Sequence, residues 1–236
     1  MSANLTKSLL LLCDLQGSFK PHIHGYEHVV QGVNKVLKVA KLLSIPTVST
    51  TQYTRALGPV EPELKPGLDA LASANLHHGP TDKSLFSMCI PEVMEHITDD
   101  IDRVVLVGIE SHICILQTLR DLRLLFPTSP APAAFAPPTG QVESPPTHLP
   151  MINRNRMKPL HLVVLADCVS SANAFEVPIA LQTMRSQFNV QVSTAESLSF
   201  ELVGSASNPL FKEFSKIVKE EKEATRASAT FWGSRM

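Results

Sequence analysis

The chain has 236 residues, 44% hydrophobic and 18% charged, with a formal net charge of −1. A disordered chain would carry fewer apolar and more charged groups, so this composition describes a globular protein long enough to bury one core. Near-neutrality provides no global field for a polyanion, and no run of Lys and Arg marks a local one, which argues against nucleic-acid binding.

Ser8 to Asp14 is a continuous apolar run that breaks off at a carboxylate, predicting a strand buried on both faces of a parallel sheet. The run is too short for a membrane span or a signal-peptide core, and the N-terminus lacks the Arg-rich amphipathic character of a transit peptide. A cytoplasmic location is therefore expected, with a divergent mitochondrial import signal as the alternative. From Tyr26 to Leu43 the residues Val29, Val33, Val36, Leu37 and Ala40 recur at helical spacing, and Pro46 opens a β-rich segment, Thr47 to Thr51. Glu92 to Ile97 reads as a helix after Pro91, Val104 to Val107 as a buried strand closed by Gly108, and Cys114 to Leu125 as the next helix. Leu160 to Ala166 then predicts a strand, Val177 to Phe188 a helix, Val190 to Thr194 a last strand, and Pro209 to Lys222 an amphipathic closing helix. The alternation predicts an α/β fold, a parallel sheet covered by helices on both faces, in a single domain over 1–236.

One stretch breaks the rhythm. Nine prolines from Pro127 to Pro159, half of the chain's 18, leave no room for a regular element, so residues 127–159 are expected to form a solvated, inserted loop. A docking motif for a proline-reading partner is the alternative to a tolerated surface insertion. After Lys222 the composition turns to Ala, Thr and Ser, and a flexible tail is expected from about 223.

The four cysteines Cys13, Cys89, Cys114 and Cys168 are too few and scattered for a disulfide scaffold, and none forms a Cys-x-x-Cys pair. In open α/β sheets ligands sit beyond the carboxyl ends of strands, which directs attention to three segments. These are Cys13-Asp14-Leu15-Gln16, Thr81-Asp82-Lys83-Ser84-Leu85-Phe86-Ser87, and Val107-Gly108-Ile109-Glu110-Ser111-His112-Ile113-Cys114. A thiol at a helix start meets unpaired N–H groups and the helix dipole, which favour an anion, and Lys83 is a cation that stabilises a thiolate further. Asp14 can take the thiol proton and return it to a leaving group, while backbone N–H groups of the 110–114 turn can hold an oxyanion. Against this stand the blander readings of Cys114 as a buried structural thiol, Asp14 as a loop or cap residue and Lys83 as a surface lysine. Cys13, Cys89 and Cys168 read as core. Asp167 and the pair Ser170-Ser171 follow another strand end, and a turn-forming role outranks a pocket role there.

Taken in order, D-x-Q after the first strand, the Lys-Ser-x-Phe-Ser run and V-G-I-E-x-x-x-C before a helix resemble the isochorismatase-like hydrolases. Within that superfamily the chain resembles the isochorismatase-domain-containing branch, through Thr51-Gln52-Tyr53, Leu57-Gly58-Pro59, Pro62-Glu63-Leu64, Met184-Arg185 and Thr194-Ala195-Glu196. The resemblance runs from about Leu9 to Gly204, apart from the proline-rich insert. It implies a three-layer α/β/α sandwich around a mostly parallel six-stranded sheet, homo-oligomeric assembly as a dimer or tetramer, and a small-molecule substrate. It also implies a catalytic triad of Asp14, Lys83 and Cys114, a cis peptide between Ile109 and Glu110, and oxyanion donors at the backbone N–H of Glu110 and Cys114. Gln16 and Phe19 are candidate pocket neighbours. The nicotinamidase branch holds a metal through Asp-x-His after its second strand; Thr51-Gln52-Tyr53 stands there instead, so no metal and no cofactor are expected, and His22, His24, His77 and His78 are expected to be solvated or hydrogen-bonded. The rival to a cysteine hydrolase is a catalytically lapsed oligomeric scaffold of the same fold.

Overall fold

The apolar run near the start of the chain folds as β1 (Ser8–Cys13), every residue of which is buried. A computed structural model describes residues 7–127 and 158–233. β1 is followed by α1 (Tyr26–Leu42), β2 (Thr47–Gln52), α2 (Thr54–Leu57), α3 (Lys65–Ala72), β3 (His77–Lys83), α4 (Pro91–Met94) and β4 (Arg103–Ile109). A π-helical turn (Ser111–Ile115) leads into α5 (Leu116–Leu125). Beyond the insert come β5 (His161–Ser170), α6 (Glu176–Phe188), β6 (Gln191–Ser193), α7 (Ala195–Val203), α8 (Phe211–Glu220) and α9 (Lys222–Gly233).

The six strands pair in the order β3-β2-β1-β4-β5-β6, and every pairing is parallel. Strand alternation divides the core. Leu9, Leu11, Val104, Leu106, Leu162 and Val164 face one layer with Val93 of α4, Leu119 and Leu122 of α5 and Met184 of α6. Leu10, Leu12, Val105, Val107, Val163 and Leu165 face the other, against Val29, Val33 and Leu37 of α1, Leu71 of α3 and Leu198 of α7. This is the three-layer α/β/α sandwich. Each fully buried aliphatic side chain contributes about 1.5–3 kcal/mol relative to exposure, so the central strands carry much of the stability. α8 adds a satellite cluster in which Phe214 is fully buried against Val39 and Val203.

The chain leaves β1 toward β2 and β3 on one side and returns to β4 on the other. Strand order therefore reverses between β1 and β4, and a crevice opens at their carboxyl ends. Gly108 makes the close contact there possible: its φ is +114°, and a Cβ would lie 2.0 Å from the carbonyl oxygen of Cys13.

Several expectations are revised. β3, α3 and α7 form where the sequence pattern predicts no element. α4 is shorter than the helix expected over 92–97, and β5 runs on to Ser170. The tail expected to be flexible from about 223 forms α9 instead, whose Phe231 and Trp232 pack around His24 and whose Phe231 also packs against His28. Except at its ends, the proline-rich segment lies outside the described residues. Those ends are held by Arg123, a buried side chain that donates to the carbonyls of Phe126 and Leu160 at 3.3 and 3.2 Å and to those of Phe188 and Asn189 at 2.8 and 3.1 Å.

Candidate active site

Asp14 is the first residue past β1 and adopts φ +47°, a left-handed conformation that is uncommon for a non-glycine residue. In a continuing strand Cys13 and Asp14 would point to opposite faces. The turn at Asp14 breaks that alternation, and both side chains reach the same crevice, where Sγ of Cys13 lies 3.5 Å from Oδ2 of Asp14. From the end of β2, Thr50 donates through Oγ1 to Oδ1 of Asp14 at 2.8 Å. From the end of β3, Lys83 reaches Oδ2 of Asp14 at 2.5 Å, and the ion pair is shut away from solvent, with side chains 0% and 2% exposed. Lys83 Nζ also donates to Oε1 of Gln52 at 2.6 Å and to the carbonyls of Leu85 and Phe86 at 3.0 Å. An ammonium so enclosed by acceptors has its donors satisfied.

The fourth contribution comes from β4. The Ile109–Glu110 peptide is cis, as the resemblance implied, and the π-helical turn after it carries Cys114. Sulfur atoms of Cys13 and Cys114 and a carboxylate oxygen of Asp14 all lie within 4.8 Å of one another. The turn is closed by Ile113 and Ile115, which donate to the carbonyl of Glu110, and is pinned from outside where the Glu110 carboxylate accepts from the N–H of Ala172 at 2.7 Å. Ser171 forms a second brace, its hydroxyl 2.6 Å from that of Ser111 and 2.8 Å from Nδ1 of His112.

Burial opposes the charge of Lys83, but Cys13, Asp14 and Cys114 around it outweigh that penalty and raise its pKa. Burial likewise pushes the Cys89 thiol up to about 12 and the Cys168 thiol well above its ordinary value. Cys13 is held well above that value by burial, then by its hydrogen bond to Cys114 and the nearby Asp14 carboxylate. Burial thus keeps the Cys13, Cys89 and Cys168 thiols protonated at neutral pH.

The two pocket candidates have structural partners. Gln16 is fully buried, accepts the N–H of Gln52 at 2.8 Å and donates to the carbonyls of Gln52 and Gly58 at 3.2 and 2.6 Å, tying the loop after β1 to the loop after β2. Phe19 is partly buried and packs against the core cluster on the α1 side of the sheet. The histidines are engaged elsewhere: His24 lies against Phe231, His77 bonds the hydroxyl of Ser49 at 2.8 Å, and His78 stacks on His96. Cys13, Asp14 and Cys114 form the donor set best arranged for a metal, but the Lys83 ammonium already occupies the cationic position beside Asp14.

This arrangement has close relatives. The isochorismatase domain profile matches residues 8–125, from the first strand through α5. The chain belongs to the isochorismatase family. It is 35% identical over 215 residues to isochorismatase domain-containing protein 2 of Bos taurus, covering 90% of this chain and 83% of that one. It is 32% identical to the secreted isochorismatase effector Isc1 of Phytophthora sojae, covering 90% and 85%. Among solved structures, one described as the MAR1 ribonuclease of Caenorhabditis elegans superposes with a TM-score of 0.69 at 30% identity over 93% of each chain.

In this isochorismatase-family chain, Asp14, Lys83 and Cys114, the three residues grouped by the resemblance, lie together in the crevice. Cys13, Thr50 and Gln52 were missed. Gln52 had a usable signal, since it ends a strand next to the one that positions Asp14. Cys13 had none, because its place in an apolar run reads as core until the backbone turn at Asp14 is known. Among the described residues no helix is long and apolar enough to cross a membrane.

Proposed function

We propose that this chain is a cysteine hydrolase acting on a small molecule with an amide-like or otherwise electrophilic carbon. The observation that carries this reading is the buried Lys83–Asp14 pair at 2.5 Å beside the thiol of Cys114, at the switch point between β1 and β4. Asp14 takes the Cys114 proton as the sulfur attacks, and later delivers it to the leaving group. Lys83 holds Asp14 in position and favours the thiolate electrostatically. The N–H groups of Glu110 and Cys114 are the proposed donors to the developing oxyanion. Water then cleaves the covalent intermediate, with Asp14 as base.

A second reading, hydrolysis of RNA, takes its support from the description of the C. elegans structure. A net charge of −1 and a thiol only 7% exposed favour a small substrate over a polyanion. Homo-oligomeric assembly is proposed with the function, supported by Phe175 and Ile179, which stand 63% and 57% exposed around the start of α6. Residence in a reducing compartment such as the cytoplasm is proposed on the four free thiols.

Timed iodoacetamide labelling followed by peptide mapping tests the nucleophile. Cys114 is expected to alkylate fastest of the four thiols near neutral pH, and Lys83→Met to slow it by about tenfold or more. Faster labelling of Cys89 or Cys168 would overturn the assignment. Turnover of small amides and esters that is lost in Cys114→Ala supports the hydrolase, whereas cleavage of RNA with the same dependence favours the second reading.

A further inference from the structure

Catalysis as proposed uses one of the two thiols in the crevice and leaves the other unexplained. Cys13 ends β1, is fully buried, and its sulfur lies within 4.8 Å of the Cys114 sulfur. Neither of the remaining thiols competes for this place. Cys168 belongs to the core on the opposite face of the sheet, and Cys89 points its sulfur toward the carbonyl of Thr118 in α5 at 3.9 Å. Cys13 is also next to a proton acceptor, Oδ2 of Asp14 at 3.5 Å.

We propose that Cys13 is a resolving thiol for Cys114: a hydroperoxide oxidises Cys114, and Cys13 captures the product as an intramolecular disulfide that masks the nucleophile reversibly. The proposal rests on the reading of Cys114 as the reactive thiol. In the first step the Cys114 thiolate attacks one peroxide oxygen, the O–O bond breaks, the sulfur becomes a sulfenic acid and the other oxygen leaves as hydroxide. In the second step the Cys13 sulfur attacks the sulfenic sulfur and the S–O bond breaks. The Cys13 proton passes through Asp14 to the departing oxygen, which leaves as water. Two thiols and one hydrogen peroxide thus become one disulfide and two waters. Cys13 need not be ionised beforehand, because Asp14 accepts its proton as the S–S bond forms.

The geometry also separates the two roles. Cys114 is 7% exposed, a surface that a molecule as small as hydrogen peroxide can approach, whereas Cys13 is 0% exposed. The buried thiol therefore meets no external oxidant and reacts only with its neighbour. Closure to a bonded sulfur–sulfur distance of about 2.0 Å requires a shift that rotations of two side chains share. A sulfenic acid with a thiol beside it is diverted from irreversible over-oxidation to the sulfinic state.

The test treats the purified full-length chain with hydrogen peroxide, blocks remaining thiols under unfolding conditions and maps the peptides by mass spectrometry. A Cys13–Cys114 cross-linked peptide pair that dithiothreitol reverses is the expected result. In Cys13→Ser, Cys114 is expected to lose its dithiothreitol-recoverable fraction and end as sulfinic acid. Cys114 sulfinic acid in the unmodified chain with Cys13 still alkylatable would overturn the proposal, as would a cross-link from Cys114 to Cys89 or Cys168. Should Cys13→Ser fail to fold, Cys13→Ala is the second variant, and the peptide map of the unmodified chain decides in either case. Iodoacetamide labelling of the reduced chain separates the two readings. Rapid labelling of Cys114 without a cross-link sinks the disulfide alone, whereas the lack of preferential labelling of Cys114 sinks the nucleophile assignment and, with it, the disulfide proposal that rests on it.

Discussion

Lys83 keeps its charge in a place where burial alone would remove it. Asp14 and the two thiols outweigh the desolvation, so its folded-state pKa is raised above the ordinary lysine value of 10.5. A raised pKa means that the folded state holds the proton more tightly than the unfolded chain. The stabilisation from this ion pair is therefore fully present below pH 10.5 and is lost as the pH climbs through the higher, folded value. Urea midpoints measured across pH should show a decline on the alkaline limb that Lys83→Met flattens. At neutral pH the same variant should be less stable by roughly 3–5 kcal/mol, because it leaves the Asp14 carboxylate buried without its counter-charge. A Lys83→Met chain with an unchanged midpoint and an unchanged alkaline limb would show that the pair is dispensable. At this scale the sequence is informative where chemistry follows an apolar strand, as at Asp14 and ahead of Cys114, and at Lys83 through the Ser84, Phe86 and Ser87 pattern around it. It is silent where backbone geometry decides, since the φ of +47° that turns Asp14 toward Cys13 leaves no trace in residue type.

The elements that escaped the sequence are those lacking an apolar run or a full apolar stripe. β3 reads His-His-Gly-Pro-Thr-Asp-Lys and pairs only with β2, so it is an edge strand that needs no two-faced hydrophobicity and tolerates Pro80. The central strands β1, β4 and β5 were legible because both of their faces are covered. α9 was read as a flexible tail because its first turns are polar and its anchor comes at the end. There Phe231 packs at ring distances of 4.8 Å from His24 and 4.5 Å from His28, with Trp232 edge-on to Phe231. Gly25 leaves room for this contact, since a Cβ there would lie 2.4 Å from the Phe231 ring. α9 also bonds Lys35 of α1 through Thr225 at 3.2 Å. Ending the chain after Lys222 is expected to lower unfolding free energy by roughly 2–4 kcal/mol, the scale of two partly buried aromatic side chains, as read by chemical denaturation. An unchanged denaturation curve would mean that α9 contributes no net stability. His24 is bonded to Ser171, which braces the nucleophile turn, so the truncation should also alter the rate of Cys114 alkylation.

For the molecule as a whole, the sandwich separates the proposed chemistry from the points where the insert leaves and rejoins the fold. The crevice lies at the carboxyl ends of β1 and β4, whereas the two described ends of the proline-rich segment, after α5 and before β5, lie on the opposite rim. Deleting residues 127–150 should leave the thermal midpoint and the Cys114 alkylation rate close to those of the full chain, since halving a loop recovers less than about 1 kcal/mol of closure entropy. Collapse of either quantity would show that the segment has a structural role. Arg123 gives the two ends of that segment a common anchor, because its guanidinium bonds Phe126 just before the segment and Leu160 just after it. The chain divides there into two pieces of unequal chemistry: the first carries β1 to β4 with Asp14, Lys83 and Cys114, and the second supplies β5, β6 and the helices that cover them. Two polypeptides ending and beginning within the proline-rich segment should therefore assemble when co-expressed, restoring rapid Cys114 alkylation that neither has alone, with Arg123 as the seam that joins them. If the mixture stays as unreactive as its separate halves, the seam cannot replace the chain.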